Sequence, residues 1–174
     1  MIRSFLFVPG DSERKLEKAL GVGADAIIVD LEDSVNAENR PRARELAREY
    51  IEGQEDIWLR INPVDSGEAM ADLQAVMPAA PSGIVLPKAR SADDATRLAT
   101  KLDELESRFD VAAGHTRILP LCTERPRALF SLDSYVGATP RLAGLTWGAE
   151  DLSAALGARA RRDENGDWLP PYEL

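Results

Sequence analysis

The strongest constraint on the fold is a regular alternation of short apolar runs with amphipathic runs. Six runs have the composition of β-strands: SFLFVP (4–9), AIIVDLE (26–32), IWLRIN (57–62), GIVLPKA (83–89), RILPLCTE (117–124) and LAGLTWGA (142–149). In the runs between them, apolar residues recur every three or four positions, as on one face of a helix. These helical runs are SERKLEKALGVG (12–23), NRPRARELAREYIE (39–52), GEAMADLQAVM (67–77), SADDATRLATKLDELESRF (91–109) and RPRALFSLDSYVG (125–137). The pattern predicts six consecutive βα units.

Strands that are apolar almost throughout are typical of a parallel sheet, because crossover helices cover its faces. Two architectures have this order of elements, a doubly wound open sheet and a βα barrel. The first strand-to-helix turn, VPGDSERK, has one glycine and lacks the G-x-G-x-x-G fingerprint of dinucleotide-binding folds. We therefore predict an α/β fold with the architecture of a TIM-type (β/α)8 barrel.

The length of the chain bears on how much of a barrel it can form. A closed barrel has eight strands and about 250 residues, whereas this chain of 174 residues supplies six units. We expect a barrel truncated after about six units, with residues 1–158 forming units one to six. The segment RARRDENGDWLPPYEL (159–174) is polar and proline-rich, and we interpret it as a loop leading to missing C-terminal units. Strands one and six are apolar on both faces, as interior strands are, yet each lacks one neighbour in this sequence, so we expect a gap between them that is left open or filled by something else.

The composition narrows the class of partner. A net charge of −9 argues against nucleic acid, because phosphate backbones bind basic patches. No apolar run approaches the roughly 18 residues of a membrane span, and the first run stops at Pro9 and Gly10 without a cleavage site. Cys122 is the only cysteine and His115 the only histidine, which disfavours disulfides and metal sites of these residues. We expect a cytoplasmic protein that binds small molecules, with no membrane and no nucleic acid as partner.

Charged residues stand at the ends of the strand candidates, where βα folds carry their active sites. They are Asp30, Glu32 and Asp33 after strand two, Arg60 with Asn62 after strand three, Lys88 after strand four, Glu124 after strand five, and Glu150 with Asp151 after strand six. Neighbouring strands lie about 4.8 Å apart, and the carboxyl ends of parallel strands share one edge. The sequence therefore predicts a charged site at this edge.

Two carboxylates can meet at the ends of strands five and six. Glu124 and a carboxylate of GAED (148–151), with no histidine or cysteine nearby, suit a hard cation. Mg²⁺ commonly takes one or two carboxylates, several waters and oxygens of the substrate. The alternative is structural: Glu124 and Asp151 would each cap the helix that follows.

Two basic residues on the same edge allow two interpretations each. Arg60 can hold a substrate carboxylate in a bidentate pair, or it can form a salt bridge with Glu32 or Asp33. For Lys88 we favour a structural ion pair over a Schiff-base role, because nothing nearby in the sequence except burial would depress its pKa.

Six ordered motifs carry a resemblance to a known family: SFLFVPG, DAIIVDLEDSV, LRIN, GIVLPKA, LPLCTE and LTWGAEDLSAALG. Together they resemble the citrate lyase β-subunit-like branch of the HpcH/HpaI aldolase/citrate lyase family, over essentially the whole chain. The resemblance implies a βα-barrel enzyme with Mg²⁺ that cleaves or forms a carbon–carbon bond next to a carbonyl. Acyl-CoA thioesters of the citryl-, malyl- or citramalyl-CoA type are the implied substrates, and a homo-oligomer, a trimer or hexamer, is the implied assembly.

The resemblance also assigns roles to residues. It implies that Glu124 and Asp151 are the metal ligands, and that Arg60 binds the substrate carboxylate. It implies that the catalytic pair Glu32 and Asp33 supports metal-bound waters. Arg14 and Lys18 match basic positions near the CoA phosphates. The start of the last helix, Gly148, Ala149 and Glu150, would bind substrate, because its free N–H groups face the substrate carboxylate.

One departure helps to choose the branch. The pyruvate-aldolase branch has a catalytic histidine where this chain has Asp33, which favours the branch acting on CoA thioesters. The family's C-terminal portion, which supplies further strands and a lid, has no counterpart in this sequence. We therefore expect a Mg²⁺-dependent lyase that splits a 3-hydroxy-acyl-CoA into an acyl-CoA and an oxo-acid. The alternatives are a class II pyruvate aldolase and a non-catalytic subunit that binds CoA or an oxo-acid.

Overall fold

A five-stranded parallel sheet forms the centre of the computed structural model, which describes residues 2–172. The strands follow each other in chain order, β1 (Phe5–Pro9), β2 (Ala26–Asp30), β3 (Ile57–Arg60), β4 (Gly83–Leu86) and β5 (Arg117–Pro120). The helices are α1 (Glu13–Ala19), α2 (Arg40–Ile51), α3 (Ala69–Val76), α4 (Ala92–Arg108) and α5 (Ala149–Ala155). The predicted α/β class and the parallel pairing of these five strands are confirmed.

Alternation along the strands divides their side chains between two faces. On one face, Val29, Leu59 and Ile84 belong to the large core that the helices cover. On the other face, Ile28 and Trp58 belong to a smaller apolar cluster. Because side chains alternate with a period of two, neighbouring residues of one strand serve different clusters. This two-sided burial explains why the strands are apolar almost throughout.

The helices form where the apolar spacing predicts them. α4 is the longest, and the hydroxyl of its N-cap residue Ser91 accepts a hydrogen bond of 3.3 Å from the N–H of Asp93. Its apolar stripe, which includes Leu98, Leu102 and Leu105, is buried against the sheet. Shorter 3₁₀ helices lie at Ala37–Asn39, Met77–Ala79 and Pro170–Tyr172, and the predicted helix over 125–137 is a 3₁₀ helix at Pro126–Tyr135. No helix in the described part of the chain is long and apolar enough to cross a membrane.

The prediction of a sixth regular strand over 142–149 is wrong. This run contacts β5 only through two isolated parallel bridges, Ile118 with Leu142 and Leu121 with Thr146. The stretch between the bridges is exposed, including Leu145 at 45%. It has hydrogen bonds to β5 on one side and no strand on its other side among the described residues. These isolated bridges do not make a continuous ladder, so the sheet has five regular strands.

The open side of β1 agrees with the gap expected beside strand one. β1 pairs only with β2, and Phe5 and Phe7 are exposed, at 39% and 45%. These two rings lie on the sheet face of Ile28 and Trp58, and Phe5 meets Trp58 edge-on at 5.5 Å between centroids. The described sheet is therefore open, with β1 at one edge and β5 with its bridged segment at the other.

The C-terminal segment has local order. Arg162 and Trp168 form an antiparallel bridge, and the Arg162 guanidinium lies 3.6 Å from the centre of the Trp168 ring. The carboxylate of Asp163 accepts the N–H groups of Asn165 and Asp167 inside this turn. Tyr172 is buried. The last two residues of the predicted loop, 173 and 174, and residue 1 of the predicted barrel unit lie outside the described residues.

Candidate active site

The charged residues at the carboxyl ends of the strands converge in one cluster, as the sequence predicts. Asp30 and Arg60 are the last residues of β2 and β3 and are direct register partners. Lys88 follows β4, Glu124 follows β5, and Asp151 lies in the first turn of α5. Parallel pairing places these ends at the same edge of the sheet, so residues far apart in sequence become neighbours.

Asp30 and Arg60 form the most buried pair of the cluster. Nε and Nη2 of Arg60 donate to the two carboxylate oxygens of Asp30, each at 2.7 Å. Burial alone would raise the pKa of Asp30, but the hydrogen bonds from Arg60 outweigh burial. The pKa therefore lies below its ordinary value, and the carboxylate stays ionised. Burial would lower the pKa of Arg60, yet Asp30 raises it above the ordinary value. Asp30 thus holds the guanidinium in one orientation.

The third nitrogen of Arg60 faces a second group of acids. Nη1 lies 3.3 Å from Oε2 of Glu32 and 3.8 Å from Oδ2 of Asp33. The salt bridges considered from the sequence are therefore present, together with the unforeseen bidentate pair to Asp30. Burial raises the pKa of Glu32, although Lys88 and Arg60 oppose this shift. The role of Arg60 as a carboxylate anchor stays a prediction that rests on Nη1.

Lys88 connects the two acidic groups of the cluster. Its ammonium lies 2.7 Å from Glu32, 3.2 Å from Asp33 and 3.3 Å from Asp151. Its backbone has φ +53°, a left-handed conformation that is unusual for a residue with a side chain. In this conformation the N–H of Lys88 donates to Oε2 of Glu124. The predicted ion pair of Lys88 is present, and it has three carboxylate partners.

The carboxyl groups of Glu124 and Asp151 lie close enough together to influence each other's pKa, and Lys88 contacts both residues, Glu124 through its N–H and Asp151 through its ammonium. Burial, followed by this contact with Asp151, raises the pKa of Glu124 to about 8. Burial would raise the pKa of Asp151, but Glu124 and Lys88 outweigh this effect of burial and lower the pKa. Near neutral pH, Glu124 is therefore more readily protonated than Asp151. The capping alternative is not observed for Glu124, whose Oε2 accepts the N–H of Lys88 rather than a helix N–H.

Gly148 fits against Glu124 so closely that no side chain has room there. A Cβ at this position would lie 2.3 Å from Cγ and 3.2 Å from Cδ of Glu124. The N–H of Gly148 donates to the hydroxyl of Thr123 at 2.9 Å, which ties the start of α5 to the end of β5. Gly148 was expected to bind substrate, and its observed contact is with the metal-ligand candidate Glu124.

Other predicted residues lie outside the cluster. Arg14 and Lys18 are exposed on α1, and Glu150 at the start of α5 pairs with Arg161 at 2.5 Å. Asn62 is buried and bonds to Asp72 and to the carbonyl of Leu31. Ala149 begins α5, and no side chain caps this helix. The substrate and CoA roles proposed for Arg14, Lys18, Ala149 and Glu150 stay predictions. Asn62, which was noted only as a polar strand end, takes part in the packing of the core.

The donor set fits a magnesium ion. Glu124 and Asp151 offer oxygen ligands at one point, and Oε2 of Glu32 is buried without a hydrogen bond from the described residues. Among residues 2–172, no group of three or more histidine, cysteine, aspartate or glutamate side chains is arranged for a metal. Two carboxylates completed by water and substrate are a common ligand set for Mg²⁺ and an unusual one for zinc.

Two members of the cluster were undervalued from the sequence. Asp30 had a usable signal, because it ends β2 directly beside Arg60 on β3. For Lys88 the sequence indicated an ion pair but not its left-handed backbone or its three carboxylate partners, which depend on how β4 and β5 pair. The same holds for the fit of Gly148 against Glu124.

Paired carboxylates and a fixed arginine lie at the carboxyl edge of the parallel sheet, where βα folds carry their active sites. The chain belongs to the HpcH/HpaI aldolase/citrate lyase family, whose family model matches residues 3–167. Its relatives place it in the citrate lyase β-subunit-like branch, as the resemblance of the motifs predicts.

Three similar proteins illustrate the relationship. The (3S)-malyl-CoA thioesterase of Cereibacter sphaeroides is 36% identical over 166 residues, covering 92% of this chain and 53% of that protein. The citrate lyase subunit beta of Haemophilus influenzae is 31% identical over 153 residues, covering 86% of this chain and 52% of that protein. The structure of protein CitE from Mycobacterium tuberculosis in complex with magnesium, acetoacetate and coenzyme A has 29% identity and a TM-score of 0.76, covering 97% of this chain and 56% of that one. The chain thus spans about half the length of these relatives.

Proposed function

We propose that this chain forms the metal and oxo-acid site of a Mg²⁺-dependent carbon–carbon lyase acting on 3-hydroxy-acyl-CoA thioesters. Substrates of the citryl-, malyl- or citramalyl-CoA type would be split into an acyl-CoA and an oxo-acid. The observation that carries the proposal is the contact of Glu124 with Asp151, beside Lys88 and within the same cluster as Arg60. The CitE structure with magnesium, acetoacetate and coenzyme A supports it.

The proposed roles follow from the contacts. Glu124 and Asp151 would hold the metal through their carboxylate oxygens, for which Glu124 has to be ionised. Nη1 of Arg60 binds the carboxylate of the oxo-acid, because Asp30 occupies the other two nitrogens that donate. Glu32 and Asp33 lie next to this nitrogen and accept hydrogen bonds from waters around the ion. The bound Mg²⁺ supplies Lewis-acid stabilisation of negative charge that develops on the carbonyl oxygen.

The remaining parts of the substrate are assigned to residues at the same edge. The N–H groups at the start of α5, around Ala149 and Glu150, face the oxo-acid next to Gly148. Arg14 and Lys18 are separated by four residues on α1, so both basic side chains lie on one exposed helix face. This face follows the carboxyl end of β1 and would bind the CoA phosphates.

We also propose the architecture and the setting of the whole enzyme. Five parallel strands in chain order, each joined by helical crossovers, are the arrangement of a TIM-type barrel. The open edges at β1 and β5 are where further strands would pair to close it. A cytoplasmic homo-oligomer, a trimer or hexamer, is the proposed assembly, and the resemblance to the family supports it.

Hydrolysis of the thioester is a second candidate function, and a specific observation favours it. A relative that is 36% identical to this chain is named a (3S)-malyl-CoA thioesterase. Hydrolysis breaks the bond between the acyl carbon and sulfur and consumes water, whereas the lyase reaction breaks the bond between C2 and C3. A class II pyruvate aldolase is the third candidate, and Asp33 in place of a histidine disfavours it.

The products distinguish these candidates. The full chain is incubated with (3S)-malyl-CoA and with citramalyl-CoA, with Mg²⁺ or with EDTA. A lyase gives acetyl-CoA with glyoxylate or pyruvate, and a thioesterase gives free CoA thiol with the hydroxy-acid. The Asp151→Asn variant is the control for dependence on the proposed site. Free thiol without an oxo-acid would replace the lyase proposal by hydrolysis, and Mg²⁺-independent turnover would refute the metal site.

A further inference from the structure

Lys88 is the residue of the cluster that contacts the largest number of acids. From β4 it reaches Glu32 and Asp33 after β2 and Asp151 on α5 with its ammonium. Its backbone N–H donates to Glu124 after β5. One residue thus joins carboxylates that come from three other elements of the fold.

The backbone of Lys88 has an unusual conformation at these contacts. A left-handed φ of +53° is disfavoured for lysine, because its Cβ crowds the backbone, and glycine would adopt it freely. Such conformations persist where surrounding contacts determine them, and they are concentrated at functional sites. This conformation aims the N–H of Lys88 at Glu124 while its ammonium reaches the other three carboxylates.

The charges around Lys88 show what the ammonium does. Asp30 is neutralised by two hydrogen bonds from Arg60. The other four carboxylates, Glu32, Asp33, Glu124 and Asp151, surround Lys88. A divalent ion and one ammonium together leave this group with one net negative charge. Without the ammonium, the same group would carry an additional negative charge at the place where an anionic oxo-acid has to bind.

We propose that Lys88 is a positioning residue for the anionic substrate. Its ammonium holds Glu32, Asp33 and Asp151 around one point and offsets the negative charge that would repel an oxo-acid. This inference rests on the proposed function of the site. Lys88 takes no part in binding the metal, because its ammonium lies 3.3 Å from Asp151 and would repel a cation bound to that carboxylate.

The test separates metal affinity from oxo-acid affinity in the full chain. Mn²⁺, a paramagnetic substitute for Mg²⁺, is titrated alone, and pyruvate is then titrated into the Mn²⁺-loaded protein. The variants are Lys88→Met, which removes the charge at similar length, and Lys88→Arg, which keeps it. Lys101→Met is the matched control, because Lys101 is an exposed lysine whose ammonium pairs with Glu104 at 2.9 Å.

We expect Lys88→Met to retain the Mn²⁺ affinity of the parent or to bind Mn²⁺ more tightly. Pyruvate affinity should fall about tenfold, the effect of one unit charge several ångströms away at a partly exposed site. The loss should shrink at high ionic strength, and Lys88→Arg should restore most of the affinity. Lys101→Met should behave as the parent in both titrations.

Two results would overturn the inference. Equal pyruvate affinity in Lys88→Met and the parent would show that the charge does not matter for the substrate. Parallel losses of Mn²⁺ and pyruvate affinity would show that Lys88 only maintains the fold of the site. If Lys88→Met does not fold, Lys88→Gln provides the same comparison. A parent that binds neither Mn²⁺ nor pyruvate would instead refute the proposed function, and this inference with it.

Discussion

The close fit of Gly148 against Glu124 predicts that a single methyl group impairs the metal site. In Gly148→Ala the new Cβ would lie 2.3 Å from Cγ of Glu124. Carbon atoms in ordinary contact are about 3.5–4.0 Å apart, so the Glu124 side chain has to retreat by more than about 1 Å. The backbone of Gly148, with φ −116° and ψ 74°, is not left-handed, so the methyl group acts through this contact.

A displacement of this size matters for the ion. Mg²⁺ requires ligand distances of about 2.0–2.1 Å in near-octahedral geometry. A Glu124 carboxylate moved by about 1 Å therefore no longer reaches an ion that Asp151 holds. We expect the affinity for Mg²⁺ or Mn²⁺ to fall by about 10–100-fold, the range found when groups supporting metal ligands are disturbed.

Titration calorimetry with Mn²⁺ on the full chain measures this loss, and thermal unfolding without metal shows whether the fold persists. Gly144→Ala is the matched control, because its Cβ would meet only Cδ1 of Leu119, at an ordinary 3.8 Å. It lies in the same segment and should keep the parent affinity. Parent-like Mn²⁺ binding by a folded Gly148→Ala would refute the reasoning, because Glu124 would then be dispensable as a ligand.

The other predictions concern Arg60, Asp151 and a buried ion pair behind the site. Arg60→Lys should weaken pyruvate binding by about 1.5–3 kcal/mol, because a lysine ammonium paired with Asp30 has no counterpart of Nη1 for the substrate carboxylate; unchanged affinity would limit Arg60 to its pair with Asp30. Mg²⁺ should raise the melting temperature of the parent, while Asp151→Asn should melt at the same temperature with Mg²⁺ and with EDTA; equal stabilisation of both proteins would exclude Asp151 as a ligand. Burial would raise the pKa of Glu106, but the hydrogen bonds from Arg141 outweigh burial and lower this pKa to about 2. The ionised carboxylate therefore stabilises the fold above about pH 4.5, and this contribution is lost as the pH falls towards 2. Arg141→Met should therefore destabilise the protein by about 3–5 kcal/mol at neutral pH and flatten its acid dependence, as measured by urea unfolding; an unaltered pH profile would contradict this.

The charged residues at the carboxyl edge of the sheet show how far the sequence constrains the site. Apolar runs that end in charged residues identify both the strands and the edge at which their ends meet, because parallel strands joined by helices all point the same way. That reasoning brought Glu124, Asp151 and Arg60 to one cluster without coordinates. It gave no pairing among them, because a charged residue at a strand end can turn to any neighbour within reach. The partner of Arg60 was therefore foreseen only in part.

The run over 142–149 shows where local pattern fails. Its composition is that of a strand, but in the structure it meets the neighbouring β5 segment only through isolated bridges. Burial and pairing depend on what packs alongside, which residue order does not contain. The exposed Phe5 and Phe7 on β1 illustrate the same dependence.

By itself, the sequence determined the α/β class, the order of the units, the family and the identity of the charged edge, because periodicity and strand ends are local properties. The tertiary structure alone decided the left-handed turn at Lys88, the clamp of Asp30 on Arg60, and the contact of Gly148 with Glu124. Each of these depends on distances of a few ångströms between residues that are far apart in the chain. Such distances are fixed only when the strands pair and the helices pack, because packing selects one arrangement among many that the local sequence allows.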